Sequence, residues 1–71
     1  MYMRISDAKS MIHIALMDWK HDLKTEKEAE DKIKMIIGLF QSPVHKKQLA
    51  KYCEVDAFQN GMYYPKEGLH E

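Results

Sequence analysis

Residues 6–40 read SDAKSMIHIALMDWKHDLKTEKEAEDKIKMIIGLF, and two apolar seams inside them decide the fold. Ala8, Ile12, Ala15 and Trp19 stand at steps of four, three and four, and Ala29, Ile33, Ile36 and Phe40 repeat those steps. Such spacing places each set on one face of an α-helix. With Met11, Leu16 and Leu23 beside it, the first seam predicts a helix over residues 6–24, with Ser6 as its N-cap. Thr25 and Glu28 have the capping-box pattern, with acids in the following turn where the helix dipole favours them. A second helix therefore starts there and runs to the residue before Pro43, with Gly38 weakening its last turn. Only a few residues around Lys24 and Thr25 join the two, so they fold back as an antiparallel hairpin whose narrow seams interdigitate at a shallow angle.

Beyond the hairpin, Ser42 and Pro43 open a third helix, Ser as the cap and Pro at the first helical position, where its missing N–H costs nothing. Val44, Leu49, Tyr52 and Cys53 mark its inner side, and Asp56 is expected to cap one further short turn through Phe58, ended by Asn60 and Gly61. The expectation is an all-α, small three-helix domain over residues 1–71, an antiparallel helical hairpin plus a third helix, with a short irregular tail from about residue 61.

A chain of 71 residues buries only about 60% of the surface its unfolded form exposes, and its core supplies roughly 3 to 5 kcal/mol. The lone Cys53 closes no disulfide within the chain, so tight helix packing, self-association or a partner has to supply the rest. Hydrophobic residues at 45% and charged residues at 31% place the chain among folded rather than disordered proteins. The longest apolar stretch, residues 35–40, falls far short of the roughly 18 residues that span a bilayer. Residues 11–17 are interrupted by His13 and followed by Asp18, with no small-residue cleavage site, so no membrane and a cytoplasmic location are expected.

His13, His21, His45, His70 and Cys53 are the soft ligands the chain offers. His13 and His21 are eight residues apart, as are His45 and Cys53, and eight residues are about 12 Å along a helix, too far to share one ion. Asp18, His21 and Asp22 fall within one turn but read as a solvated charged face. Cys53, on the inner side of a helix, reads as a small packing residue rather than a nucleophile. The chain has no Gly-rich phosphate loop, paired-carboxylate signature or nucleophile elbow. No enzyme, no cofactor and no metal are expected.

Eleven Lys and Arg balance eleven Asp and Glu, but unevenly. Residues 32–53 hold Lys32, Lys34, Lys46, Lys47 and Lys51 and no acid, a block suited to phosphates or to an acidic protein surface. Overlapping it, HKKQLAKYCEVDAFQN at residues 45–60 resembles the helix-turn-helix class of DNA-binding motifs. Leu49 and Ala50 stand where the first helix of that class packs on the second, Val55 follows the turn, and Asp56 opens the second helix. Glu54 occupies the turn position where the class usually has Gly. The resemblance implies a dimeric DNA-binding regulator, with Lys46, Lys47 and Lys51 on phosphates and Gln59 and Asn60 on base edges.

The chain also holds more apolar residues than its seams use. Ile14 and Met17 point to the far side of the first helix beside His21, while Met35 and Leu39 flank the second seam. The third helix with Phe58, Tyr63 and Tyr64 can cover one of these groups, and a domain this small has no room to cover both. Leftover surface rich in Met and Tyr is a contact surface. The first expectation is therefore a non-enzymatic regulatory protein, of a compact sort that includes virus-encoded inhibitors. It would occlude a protein partner, or pair with its own copy, through Ile14, Met17, His21, Met35, Leu39, Tyr63 and Tyr64. DNA binding is the alternative.

Overall fold

The computed structural model describes residues 3–62 as three α-helices: α1 (Ile5–Lys20), α2 (Glu26–Gly38) and α3 (Pro43–Gln59), with no strand among the described residues. α1 packs along both of the others, and α2 and α3 touch over a shorter stretch. Both seams face inward as their spacing predicts. Ala8, Ile12, Ala29, Ile33 and Ile36 are fully buried, and Trp19 packs at the core's edge. Leu49, Ala50, Cys53 and Ala57 of α3 close the core. Ile12, Leu16, Ile33, Ile36 and Leu49 are its largest fully buried aliphatic side chains, each worth about 1.5 to 3 kcal/mol of transfer from water.

The helix ends depart from the sequence reading for local reasons. α1 begins at Ile5, one residue before Ser6, because Ile5 packs against the core's edge; Arg4 holds the N-cap position without a side-chain capping bond. It stops at Lys20 rather than residue 24. Asp22 adopts a left-handed backbone, φ 60°, and the Leu23 and Asp22 N–H groups donate back to the Asp18 and Trp19 carbonyls at 2.8 and 3.1 Å. That is a Schellman closure with Asp in the place usually held by Gly. Leu23 is thereby turned off the helix and is 73% exposed, not on the apolar face.

α2 opens with the capping box in full: Thr25 Oγ1 accepts from the Glu28 N–H at 3.1 Å, and Glu28 Oε1 accepts from the Thr25 N–H at 2.9 Å. The Thr25 N–H and, at 3.2 Å, the Thr25 hydroxyl both donate to the Glu28 carboxylate and hold it below its ordinary range. α2 ends at Gly38, short of the expected boundary, as the Leu39 and Phe40 N–H groups donate to the carbonyls three residues back, those of Ile36 and Ile37. The tightened turn brings Phe40 into the core and leaves Ser42 extended to cap α3, its Oγ accepting from the His45 N–H at 3.4 Å.

α3 runs unbroken through Glu54, so the turn of a helix-turn-helix within residues 45–60 is absent. Leu49, Ala50, Cys53, Asp56 and Ala57 form one continuous buried stripe, and Asp56 sits inside the helix instead of capping a second one. Val44, expected on the inner side, is 63% exposed, since five residues set it about 140° from Leu49 around the helix. A second Schellman closure ends α3: Gly61 has φ 76°, and Met62 and Gly61 donate to the Ala57 and Phe58 carbonyls at 2.9 and 3.1 Å.

A polar contact between His13 and Asp56 ties α1 to α3, beside the Lys9 ammonium 5.6 Å over the Tyr52 ring. Asp56, 9% exposed, accepts at Oδ2 from the Nδ1–H of His13 at 2.8 Å. A buried carboxylate that loses its donor keeps the desolvation cost. His13→Ala is therefore expected to lower the unfolding free energy by about 1 to 3 kcal/mol, whereas Asp56→Asn, whose amide oxygen still accepts, costs less; urea denaturation followed by circular dichroism measures both. By the same method Asp22→Gly, which relieves the left-handed penalty, raises stability by roughly 0.5 to 1 kcal/mol, and Asp22→Val lowers it.

Candidate functional site

The antiparallel hairpin leaves an open groove between α1 and α2. Met11, Ile14, Ala15 and Asp18 form its α1 wall, and Lys32 of α2 and Lys24 of the connecting turn face them around a volume of about 280 Å³. Ile14 lies 100° round α1 from His13, whose ring reaches α3, so the groove opens away from α3. Met35 and Leu39 follow Lys32 at steps of three and four along the same face of α2. Ile14, Met35 and Leu39 are 57, 51 and 52% exposed, so each keeps at least half its surface in water. The rim carries both signs of charge, Asp18 on one side and Lys24 and Lys32 on the other.

The other residues expected at a partner surface are placed differently. Met17 is half-buried and packs against the core, and His21 is exposed at the C-cap of α1, where its N–H bonds the Met17 carbonyl. Tyr63 and Tyr64 lie outside the described residues. Sequence reasoning missed Met11, Asp18, Lys24 and Lys32 as groove residues. The signal was present in the hairpin itself, since a turn around residue 23 sets residue 14 level with residue 32.

The basic block does not form one patch. Lys32 lines the groove, Lys34 lies on the opposite flank of α2 with its Nζ 3.8 Å from Glu30 Oε1, and Lys46, Lys47 and Lys51 are exposed on α3. Of the two expected base-reading residues, Gln59 is exposed. Asn60 is spent on the helix end: its Nδ2 donates to the Asp56 carbonyl at 2.7 Å.

Among the described residues no three His, Cys, Asp or Glu side chains are gathered as a metal site. Cys53 is fully buried, and burial, with help from Asp56 and Glu54, pushes its thiol up to about 12. A thiol held neutral in this way is a poor nucleophile. No family model matches the chain, and neither a curated protein nor a solved structure resembles it significantly.

The thiol has a consequence for stability. Unfolding restores its ordinary value of 9.0, so between that pH and about 12 the unfolded chain releases a proton that the folded chain keeps. Cys53 stabilises the fold fully below pH 9 and loses that contribution as pH rises, by at most about 1.4 kcal/mol per unit. Tyr52, raised by burial and by Asp56, acts in the same direction. Urea midpoints measured from pH 7 to 11 are expected to fall, and Cys53→Ala, less stable than the parent below pH 9, falls less steeply above it.

Proposed function

We propose that this protein is a non-enzymatic regulator that covers a surface on a protein partner with the α1/α2 face. The observation that carries the reading is the half-exposure of Ile14, Met35 and Leu39 beside a ready groove. Covering three such side chains supplies about 1 kcal/mol each, enough to bias binding but not to complete it. The charged rim supplies orientation, and it calls for a partner surface that is apolar at its centre and carries a base near Asp18 and carboxylates near Lys24 and Lys32. This chemistry is of the kind seen where one folded surface occludes another.

The test places a photo-crosslinking amino acid at residue 14, 35 or 39, with Lys27 and Lys34, exposed on the opposite flank of α2, as control positions, in extract of the cells the chain comes from. One discrete protein adduct from the three face positions and none from the controls is expected. With that protein purified, Ile14→Glu and Met35→Glu weaken binding about tenfold or more while the helical signal is kept, because both side chains are exposed. Adducts that form equally from the control positions contradict the proposal, and so does an adduct only with the chain's own copy. Salt-steep binding to duplex DNA by the unmodified chain, with no protein adduct, gives the result to the DNA-binding alternative.

A further inference from the structure

Because α3 does not break at Glu54, its solvent side carries a pattern that two shorter helices would not. Val44, Gln48, Lys51, Val55 and Phe58 follow at steps of four, three, four and three, and all five are exposed. This is the spacing by which one helix seats along another in a coiled coil. Val44 and Phe58, 63 and 81% exposed, form the two apolar ends, and Val55, at 41%, adjoins the second. The exposed full charges of α3 are Lys46, Lys47 and Lys51, while its two acids, Glu54 and Asp56, are half-buried and buried. The stripe is therefore apolar at its ends and cationic at its middle.

That distribution selects an occupant. Lys51 is the central residue, with Val44 and Phe58 seven residues to either side. A second copy laid on the stripe in register, parallel or antiparallel, sets Lys51 against its own counterpart, which like-charge repulsion opposes. A nucleic acid would satisfy the lysines through its phosphates but leave Val44, Val55 and Phe58 uncovered. We infer that the outer stripe of α3 seats an acidic amphipathic helix of a protein partner, with a carboxylate opposite Lys51 and apolar residues one heptad to each side, against Val44 and Phe58. This surface is distinct from the α1/α2 groove, and the inference stands or falls apart from the role proposed for that groove.

The test uses three fluorescent probes and the full chain. One is a synthetic amphipathic helix with Leu along its seam, Glu at the central seam position and Glu beside the seam. The second has Lys at every one of those Glu positions, and the third is a duplex DNA of arbitrary sequence. Fluorescence anisotropy is followed at low and at physiological salt. The Glu peptide is expected to bind and to weaken with salt, and the Lys peptide to bind at least about tenfold less well. Phe58→Ala and Lys51→Glu each reduce Glu-peptide binding about tenfold, and Lys51→Glu moves the preference toward the Lys peptide. Both positions are exposed, so circular dichroism is expected to be unchanged. Equal binding of the two peptides, no binding of either, or indifference to Phe58→Ala overturns the inference. Tighter binding of the DNA that is lost in Lys51→Glu assigns the stripe to nucleic acid instead.

Discussion

Three short helices can each turn only one stripe toward a common core, and the sides they leave outward follow from how narrow those stripes are. On α1 and α2 the inward positions combine small and large residues, Ala8, Ile12 and Ala15 against Ala29, Ile33 and Ile36. Small residues let the helix axes approach, and the large ones fill the space between them. Close approach buries the seams, Trp19 at the edge excepted, but narrows the covered face. Ile14 on one helix and Met35 and Leu39 on the other are left at the edge of the contact, about half in water. α3 cannot relieve this, because it lies on the other side of α1, where His13 meets Asp56.

The same contact shapes α3. Asp56 is the buried polar residue of the helix, and its carboxylate is satisfied by the imidazole of His13 and, more distantly, by the Asn60 amide at 3.4 Å. With Leu49, Ala50, Cys53 and Ala57 it keeps one stripe inward over the full length from Pro43 to Gln59. Holding that stripe inward turns Val44, Lys51 and Phe58 outward together. The burial that makes Cys53 inert thus belongs to the same arrangement that presents a patterned face to solvent.

Much of the fold was legible in the sequence, because seams at steps of three and four and the Thr25/Glu28 capping box are local signals. What was not legible came from competition between local and distant terms. Asp56 is a good N-cap type and suggested a break, but its carboxylate is taken by a residue 43 positions away. Asp22 closes α1 in a left-handed conformation that is usually signalled by Gly, so the end of the helix was expected four residues later than it falls. At the candidate site, periodicity alone singled out Ile14, Met35 and Leu39, since it marks residues beside a seam. It misplaced Met17, which the third dimension brings onto the core, and missed Lys24 and Lys32, which become groove residues only once the hairpin has closed.

The account depends on apolar side chains standing in water on a single protomer. Solvent paramagnetic relaxation of methyl groups, measured by NMR at a concentration where sedimentation finds one chain, reads that exposure residue by residue. A soluble gadolinium agent is expected to relax the methyls of Ile14, Met35 and Leu39 strongly and those of Ile12, Leu16 and Ile33 hardly at all. Equal protection of both sets would mean that the lone chain hides its own surplus, and the case for a docking protein would fail.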